Sequence, residues 1–361
     1  MASRRPTAHT VGSRSFDPDA FFDAWAKEPS IPKENDLRVA ILTSFNILES
    51  DRYIYHATAS VTLAQVQGAI EEGGKHGLHA WYLNDEGKPL PPPPPADIQA
   101  YTSIFNSTKS AANQLKSLGS NAKKGSLRAS IASYLSSKRT LPSTFVIPKK
   151  KHPLTNPYYD LWAWSCANLE WIGPNEGTVN VRQSHHILPV FMHHFGCVVP
   201  SHESLEVIKQ VASGRRVIDL GSGNGYWTYM LRRTGLAVEA VDNMQSEWRT
   251  VWVPDTIVVD GAKHLRSVKG GRDAVLLLVY PVVGADFTAK ILNAYEGSTI
   301  CVAGTQNTNG YTAFKDVLIE QYIEQKKADF DKVVQIPLPS FAGKDEALYV
   351  FEKKESSKDD V

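Results

Sequence analysis

The chain has 361 residues, 42% of them apolar, which is enough to bury a sizeable core and excludes a small peptide scaffold. Its 39 Lys and Arg balance 38 Asp and Glu to a formal net charge of +1, so neither a basic nucleic-acid coat nor an acidic disordered chain describes the whole. Any charge specialisation must be local.

Cys166, Cys197 and Cys301 are scattered, odd in number and without CxxC spacing, which argues against a disulfide framework and for a reducing compartment, the cytoplasm or the nucleus. The longest apolar runs, such as Ala274–Val279, are strand-sized and far short of the ~20 residues that span a bilayer, so no transmembrane helix is expected.

Residues 1–15 contain Arg4, Arg5 and Arg14 but no apolar h-region, and read as a disordered arm, with a mitochondrial import signal as the lesser alternative. Over 16–89, Phe21, Phe22, Trp25 and then Val61, Leu63, Val66 and Ile70 recur at helical spacing and predict a helical N-terminal module. The prolines within 90–96 predict a stiff, extended spacer. Residues 97–199 form a basic, then aromatic- and His-rich, helical cap region. Residues 98–159 contain no Asp or Glu, while cations accumulate from Lys109 to Lys151. Leu115, Leu118, Leu127, Ile131 and Leu135 fall at amphipathic spacing, which puts these cations on a solvated face; contact with nucleic-acid phosphates is the alternative. The aromatics Tyr158, Tyr159, Trp162, Trp164 and Trp171 suit a core or a lid, or else a stacking platform. His185, His186, His193, His194 and Cys197 do not match a structural zinc pattern, so packed histidines and no metal are expected.

From 200 to 354 strands and helices alternate, with a disordered tail expected over 355–361. Helices are predicted at 203–211, 226–233, 287–295 and 311–325, and strands at 216–220, 237–241, 256–259, 274–280, 298–303, 332–338 and 347–352. This order predicts an α/β fold: a doubly wound, mostly parallel seven-stranded sheet with a terminal antiparallel hairpin, plus a mainly helical N-terminal region.

The segment VIDLGSGNGYW sets Gly221, Gly223 and Gly225 between a buried strand and a helix, where backbone N–H groups can approach a ligand. Asp219 lies two residues earlier and can accept from a ligand amine or orient the turn's amides. Asp242 ends the next strand, where a carboxylate can accept from two ribose hydroxyls. Asp260, followed by Gly261 and Ala262, ends the strand after that. In an open parallel sheet these strand ends line one crevice. A nicotinamide-dependent oxidoreductase is the rival on this evidence, but its fingerprint places two residues between the second and third glycines, and here Asn224 stands alone.

Asp219 to Gly225, Asp242 and Asp260-Gly261-Ala262 resemble the S-adenosylmethionine motifs of class I methyltransferases, as does the terminal hairpin, over roughly 200–354. The resemblance implies S-adenosylmethionine as cofactor, with Gly221 and Gly223 beside its methionine part, Asp242 on the ribose, and Asp260 with Ala262 facing the adenine. It implies that Val199-Pro200-Ser201 borders the cofactor. Amino-methylating members carry a polar residue, two prolines and an aromatic after the fourth strand; here Val279-Tyr280-Pro281-Val282-Val283 keeps one proline. Tyr280 and Pro281 are the acceptor-side candidates, the acceptor itself being open among small molecule, protein and nucleic acid. The polar stretch 304–311 is expected above the methyl group. A non-catalytic binding protein of the same fold is the second rival.

Overall fold

The computed structural model describes residues 16–57, 60–73, 79–284, 286–308 and 312–354. The expected arm and tail lie outside these residues.

Asp17 caps α1 (Pro18–Lys27) and Asp36 caps α2 (Leu37–Ser44), each accepting from amides of the first turn. A short antiparallel pair, β1 (Ile54–His56) and β2 (Ser60–Thr62), interrupts the expected helices, and Thr62 with Gln65 then forms a capping box on α3 (Leu63–Glu72). Pro94 is extended and Pro95 opens α4 (Pro95–Thr102) at its first position, where a missing N–H costs nothing. The amphipathic leucines form α5 (Ala111–Ser120) and α6 (Leu127–Lys138). The aromatic-rich segment is α7 (Pro157–Asn168), and the His-rich one is α8 (Leu188–Phe195).

Beyond it come α9 (His202–Ala212), β3 (Arg216–Leu220), α10 (Tyr226–Arg233), β4 (Val238–Asp242) and β5 (Ile257–Val258). The chain continues through α11 (Gly261–Ser267), β6 (Ala274–Val279), α12 (Phe287–Ala294), β7 (Thr299–Thr305), α13 (Ile319–Lys326), β8 (Phe330–Pro337) and β9 (Glu346–Lys353). The sheet order is β5-β4-β3-β6-β7-β9-β8, with β9 antiparallel to both neighbours and the other pairs parallel. The seven-stranded sheet and its terminal hairpin are therefore as expected. Two helices differ. The one expected over 311–325 starts only at Ile319, because the described residues before it turn back onto the ends of β6 and β7 through Ala313 N to Pro281 O and Thr305 N to Thr312 Oγ1. The other, α11, is started by the Asp260 side chain, which accepts from Lys263 N at 2.8 Å.

Side chains alternate along the central strands. Val275 and Leu277 of β6 face a cluster that continues into Phe22, Tyr101, Trp162 and Phe191, whereas Leu276 and Leu278 face one built with α11, α12 and α13. The N-terminal helices thus cover one face of the sheet, as a parallel sheet requires. Trp162 and Trp171 are fully buried and both donate to Ser340 O at 3.0 Å, so they are core. Thr140 bridges Gln335 and shields the edge strand β8.

Candidate functional site

Strand β3 ends in a turn that folds sharply, the N–H groups of Gly221 and Ser222 donating to Val241 O and that of Gly225 to Ser222 O. Gly221 at φ +74° and Gly223 at φ +59° supply the left-handed backbone. A Cβ on Gly221 would stand 3.3 Å from the Phe287 ring, and one on Gly223 would stand 2.9 Å from the Trp248 ring. The N–H of Gly223 donates to Asp242 Oδ2 at 2.9 Å, and that of Met244 donates to Oδ1 at 2.6 Å. Asp242 is thereby held at the end of β4 with one donor on each oxygen. Burial pushes its carboxyl above the ordinary value, and these two amides oppose the shift.

A cavity of about 880 Å³ opens over this turn and runs along the carboxyl ends of β4, β3 and β6. Of the predicted residues, Gly221, Gly223, Asp242, Asp260, Ala262, Tyr280 and Pro281 line it. Asp219, Gly225 and Gly261 do not. Asp219 is fully buried beneath the turn, its Oδ2 accepting from Thr228 Oγ1 at 2.7 Å and its Oδ1 without a partner. Burial, with a smaller push from the Asp242 charge, raises it to about 7. Gly225 opens α10 at φ +83° and leaves no room beside Val253, where a Cβ would fall at 2.3 Å. Gly261 packs against Ile291 and Leu220. These two glycines are explained by close packing, with no exposure to the cavity.

The expected border at 199–201 is buried behind the wall: Pro200 O accepts from Asn156 Nδ2 at 2.8 Å, and Ser201 caps α9. The polar stretch after β7 also turns away. Gln306 Nε2 donates to Asp345 Oδ1 at 2.7 Å and Gln306 Oε1 accepts from Gln335, so among the described residues of 304–308 none lines the cavity. Its members 309–311 lie outside the described residues. The short connection after β6 forms the wall there. Tyr280 holds φ +49°, strained for a residue with a side chain, while its N–H donates to Ala303 O at 2.7 Å.

Several wall residues were not among the predicted site residues. Met192, Phe195 and Cys197 come from α8 and its end, Trp248 from the connection after β4, and Phe287 from α12. An aromatic six residues beyond the strand-ending Asp242 was the available hint for Trp248. The neighbouring Arg249 is fully buried, bound through both terminal nitrogens to Asp51 at 2.8 and 2.6 Å, and 4.4 Å above the Tyr53 ring. The histidines serve this junction. His193 meets Tyr53 Oη and the backbone of His56, and His194 lies between Tyr55 Oη and Thr250 Oγ1. Among the described residues no group of His, Cys, Asp and Glu is arranged to hold a metal ion.

No protein-family model and no curated protein matches the chain. Similar solved structures include a protein of the NADB-Rossmann superfamily from Streptococcus agalactiae, 13% identical over 42% of this chain and 68% of that one, with a TM-score of 0.29. Another is the 1,6-didemethyltoxoflavin-N1-methyltransferase of Burkholderia thailandensis with S-adenosylhomocysteine bound, 17% identical over 42% and 77%, with a TM-score of 0.32. A third is the magnesium protoporphyrin IX methyltransferase of Synechocystis PCC 6803 with S-adenosylmethionine bound, 11% identical over 49% and 89%, with a TM-score of 0.29. The fold itself rests on this chain's own sheet order, glycine turn and antiparallel last strand, a doubly wound, mostly parallel sheet of the Rossmann-like kind. Among the described residues no helix is long and apolar enough to cross a membrane.

Proposed function

We propose that this protein is an S-adenosylmethionine-dependent methyltransferase. The carrying observation is Asp242: a carboxylate fixed at the end of β4 by the amides of Gly223 and Met244, lining a cavity, with lone pairs left for two ribose hydroxyls. The glycine cradle supports the same reading, since a Cβ at Gly223 would displace Trp248. Gly221 and Gly223 bring their backbone beside the methionine part, and Asp260 with Ala262 faces the adenine.

The cofactor supplies a methyl group already activated on a sulfonium. The protein's task is therefore alignment and exclusion of water. Tyr280 and Pro281 bound the acceptor side. Burial raises the Tyr280 phenol above its ordinary value, so it keeps its proton and can orient an acceptor by hydrogen bonding. Asp219 stiffens the turn from below through Thr228. The basic stretch serves another purpose in this reading. None of 98–159 lines the cavity, and Arg128, Arg139 and Lys150 are paired with Asp97, Glu203 and Glu206. Two buried free cysteines and one half-buried one suit a reducing compartment.

Calorimetric titration with S-adenosylmethionine, S-adenosylhomocysteine, NAD and NADP tests the assignment. The first two should bind and the dinucleotides should not. Asp242→Ala should lose about 2 kcal/mol or more of that binding while staying folded. Binding of NAD or NADP alone would transfer the chain to the oxidoreductases. Cofactor binding without methyl transfer to any acceptor would favour a non-catalytic binding protein.

A further inference from the structure

The cavity wall changes character along the sheet. Its acids, Asp242 and Asp260, sit at the β4 and β5 end, together with the polar Ser222, Asn243, Gln245 and Ser246. Over β6 the wall is Val279, Tyr280, Pro281, Val282 and Val283, and Met192 and Phe195 of α8 and Cys197 just after it complete the apolar lining. Two aromatic wall residues spend their polar atoms elsewhere. Tyr226 Oη donates to Asn156 Oδ1 at 2.7 Å, and Trp227 Nε1 donates to Val198 O at 2.7 Å, so neither side chain has its polar atom free for a ligand. Val282 and Val283 stay 58% and 42% exposed at the mouth, apolar surface that a monomer does not leave open without cost.

Among its described residues the β6 half also has no group that takes a proton at neutral pH. Burial pushes the Cys197 thiol up to about 12, and the Glu346 charge adds to the shift; Tyr280 is raised for the same two reasons together with Cys197. Among the described residues Lys290 is the wall's cation and no Arg lines it, so none of them pairs bidentately with a carboxylate or a phosphate. At 880 Å³ the cavity is near the upper end of the roughly 300–1,000 Å³ that hold a drug-sized ligand, which leaves room for a second, smaller molecule beside a cofactor.

Resting on the methyltransferase reading, we infer that the β6 half of the cavity accepts a flat, uncharged heteroaromatic small molecule and that a ring nitrogen is the methylated atom. Such a nitrogen already offers its lone pair, so no base is needed. The lone pair forms the bond to the methyl carbon, the carbon–sulfur bond breaks with its electrons staying on sulfur as a thioether, and the positive charge passes to the ring. That cation forms beside Tyr280, the aromatic residue of the β6 wall. A wall with no guanidinium group among its described residues disfavours a nucleic-acid strand.

The test uses the full chain with isotopically labelled S-adenosylmethionine and quinoline, isoquinoline and phenanthridine as probes, against benzoate, a mixed-sequence RNA and a lysine-bearing peptide. Mass spectrometry should find the heterocycle gaining one methyl group and a fixed positive charge. Val283→Asp, at an exposed position that does not endanger folding, should raise KM for the methylated heterocycle roughly tenfold or more by putting a charge on the apolar mouth, with S-adenosylhomocysteine affinity within about twofold of the parent. Transfer to benzoate, RNA or peptide without transfer to any heterocycle overturns the inference, as does an unchanged KM in the variant. Calorimetry with the heterocycles alone separates the two levels. If they bind where S-adenosylhomocysteine does not, the cofactor reading fails and the apolar subsite stands; if none binds beside a bound cofactor, the subsite fails and the cofactor reading stands.

Discussion

At Gly223 the backbone φ of +59° and the Trp248 ring, 2.9 Å from where a Cβ would stand, both demand glycine. Gly223→Val is expected to lose about 1–3 kcal/mol of stability through backbone strain and to abolish measurable cofactor binding. Gly68→Ala, in α3 with nothing within 4 Å of the added carbon, should leave binding unchanged, and one calorimetric series compares them. Asp219 makes a different prediction. Unfolded, it ionises at an ordinary value near 3.8; folded, burial keeps its proton on to about 7. Between those limits the native state binds more protons than the unfolded chain, so stability falls as pH rises through the window. Asp219→Asn removes that loss. Denaturant melts should show the variant more stable by on the order of 3 kcal/mol at about pH 8 and the two proteins converging below about pH 4. A parent and variant that differ equally at both pH values would refute a buried, protonated Asp219.

The connection from β4 to β5 is held by side chains distant in sequence. Arg249 and Thr250 donate their N–H groups to His193 O, Trp252 N donates to Asn224 O of the glycine turn, and the Arg249 guanidinium is locked on Asp51. Burial alone would raise the Asp51 carboxyl, but the Arg249 hydrogen bonds and charge outweigh it and hold it below the ordinary value. Asp51→Asn leaves a buried guanidinium without its counter-charge and should cost about 3–5 kcal/mol. Because Trp248 is the next residue in the chain, the same variant should speed hydrogen exchange across 243–250 and weaken cofactor binding. A lowered melting temperature with unchanged exchange there would mean that Asp51 stabilises the N-terminal helices alone. At this scale the strands were legible from their apolar period, and β3 and α10 match their predicted bounds. The hairpin of β1 and β2 was not, since each strand has only three residues and alternation cannot establish itself over so short a span.

Across the whole molecule one apolar cluster joins Phe22 and Trp25 of α1 to Trp252 beside the glycine turn and to Val350 of β9. Phe16, Phe21, Phe22, Phe195, Tyr226 and Tyr229 all meet the Trp252 ring within 6 Å, centroid to centroid. The N-terminal helices and the sheet should therefore unfold together, in one calorimetric transition whose van't Hoff and calorimetric enthalpies agree. Two separated transitions would show that the helical region folds as an independent unit.

What the sequence determined by itself is local in range: the strand-helix alternation, the glycine turn, and the acids at successive strand ends are each written within a few neighbouring residues, and the parallel crossover rule orders them into a sheet. Their convergence on one cavity was legible for Asp242 and Asp260. Which glycines face that cavity was not, because Gly221, Gly223 and Gly225 read alike in the chain and differ only in whether Phe287, Trp248 or Val253 stands opposite. The same holds for the rim: the polar residues after β7 were expected at the mouth, yet Asp345 draws Gln306 inward and Val282 and Val283 take that place. The tertiary structure alone decided these points, since they depend on partners such as Asp51 and Arg249, 198 positions apart, and no spacing or period in a chain records a contact made across that distance.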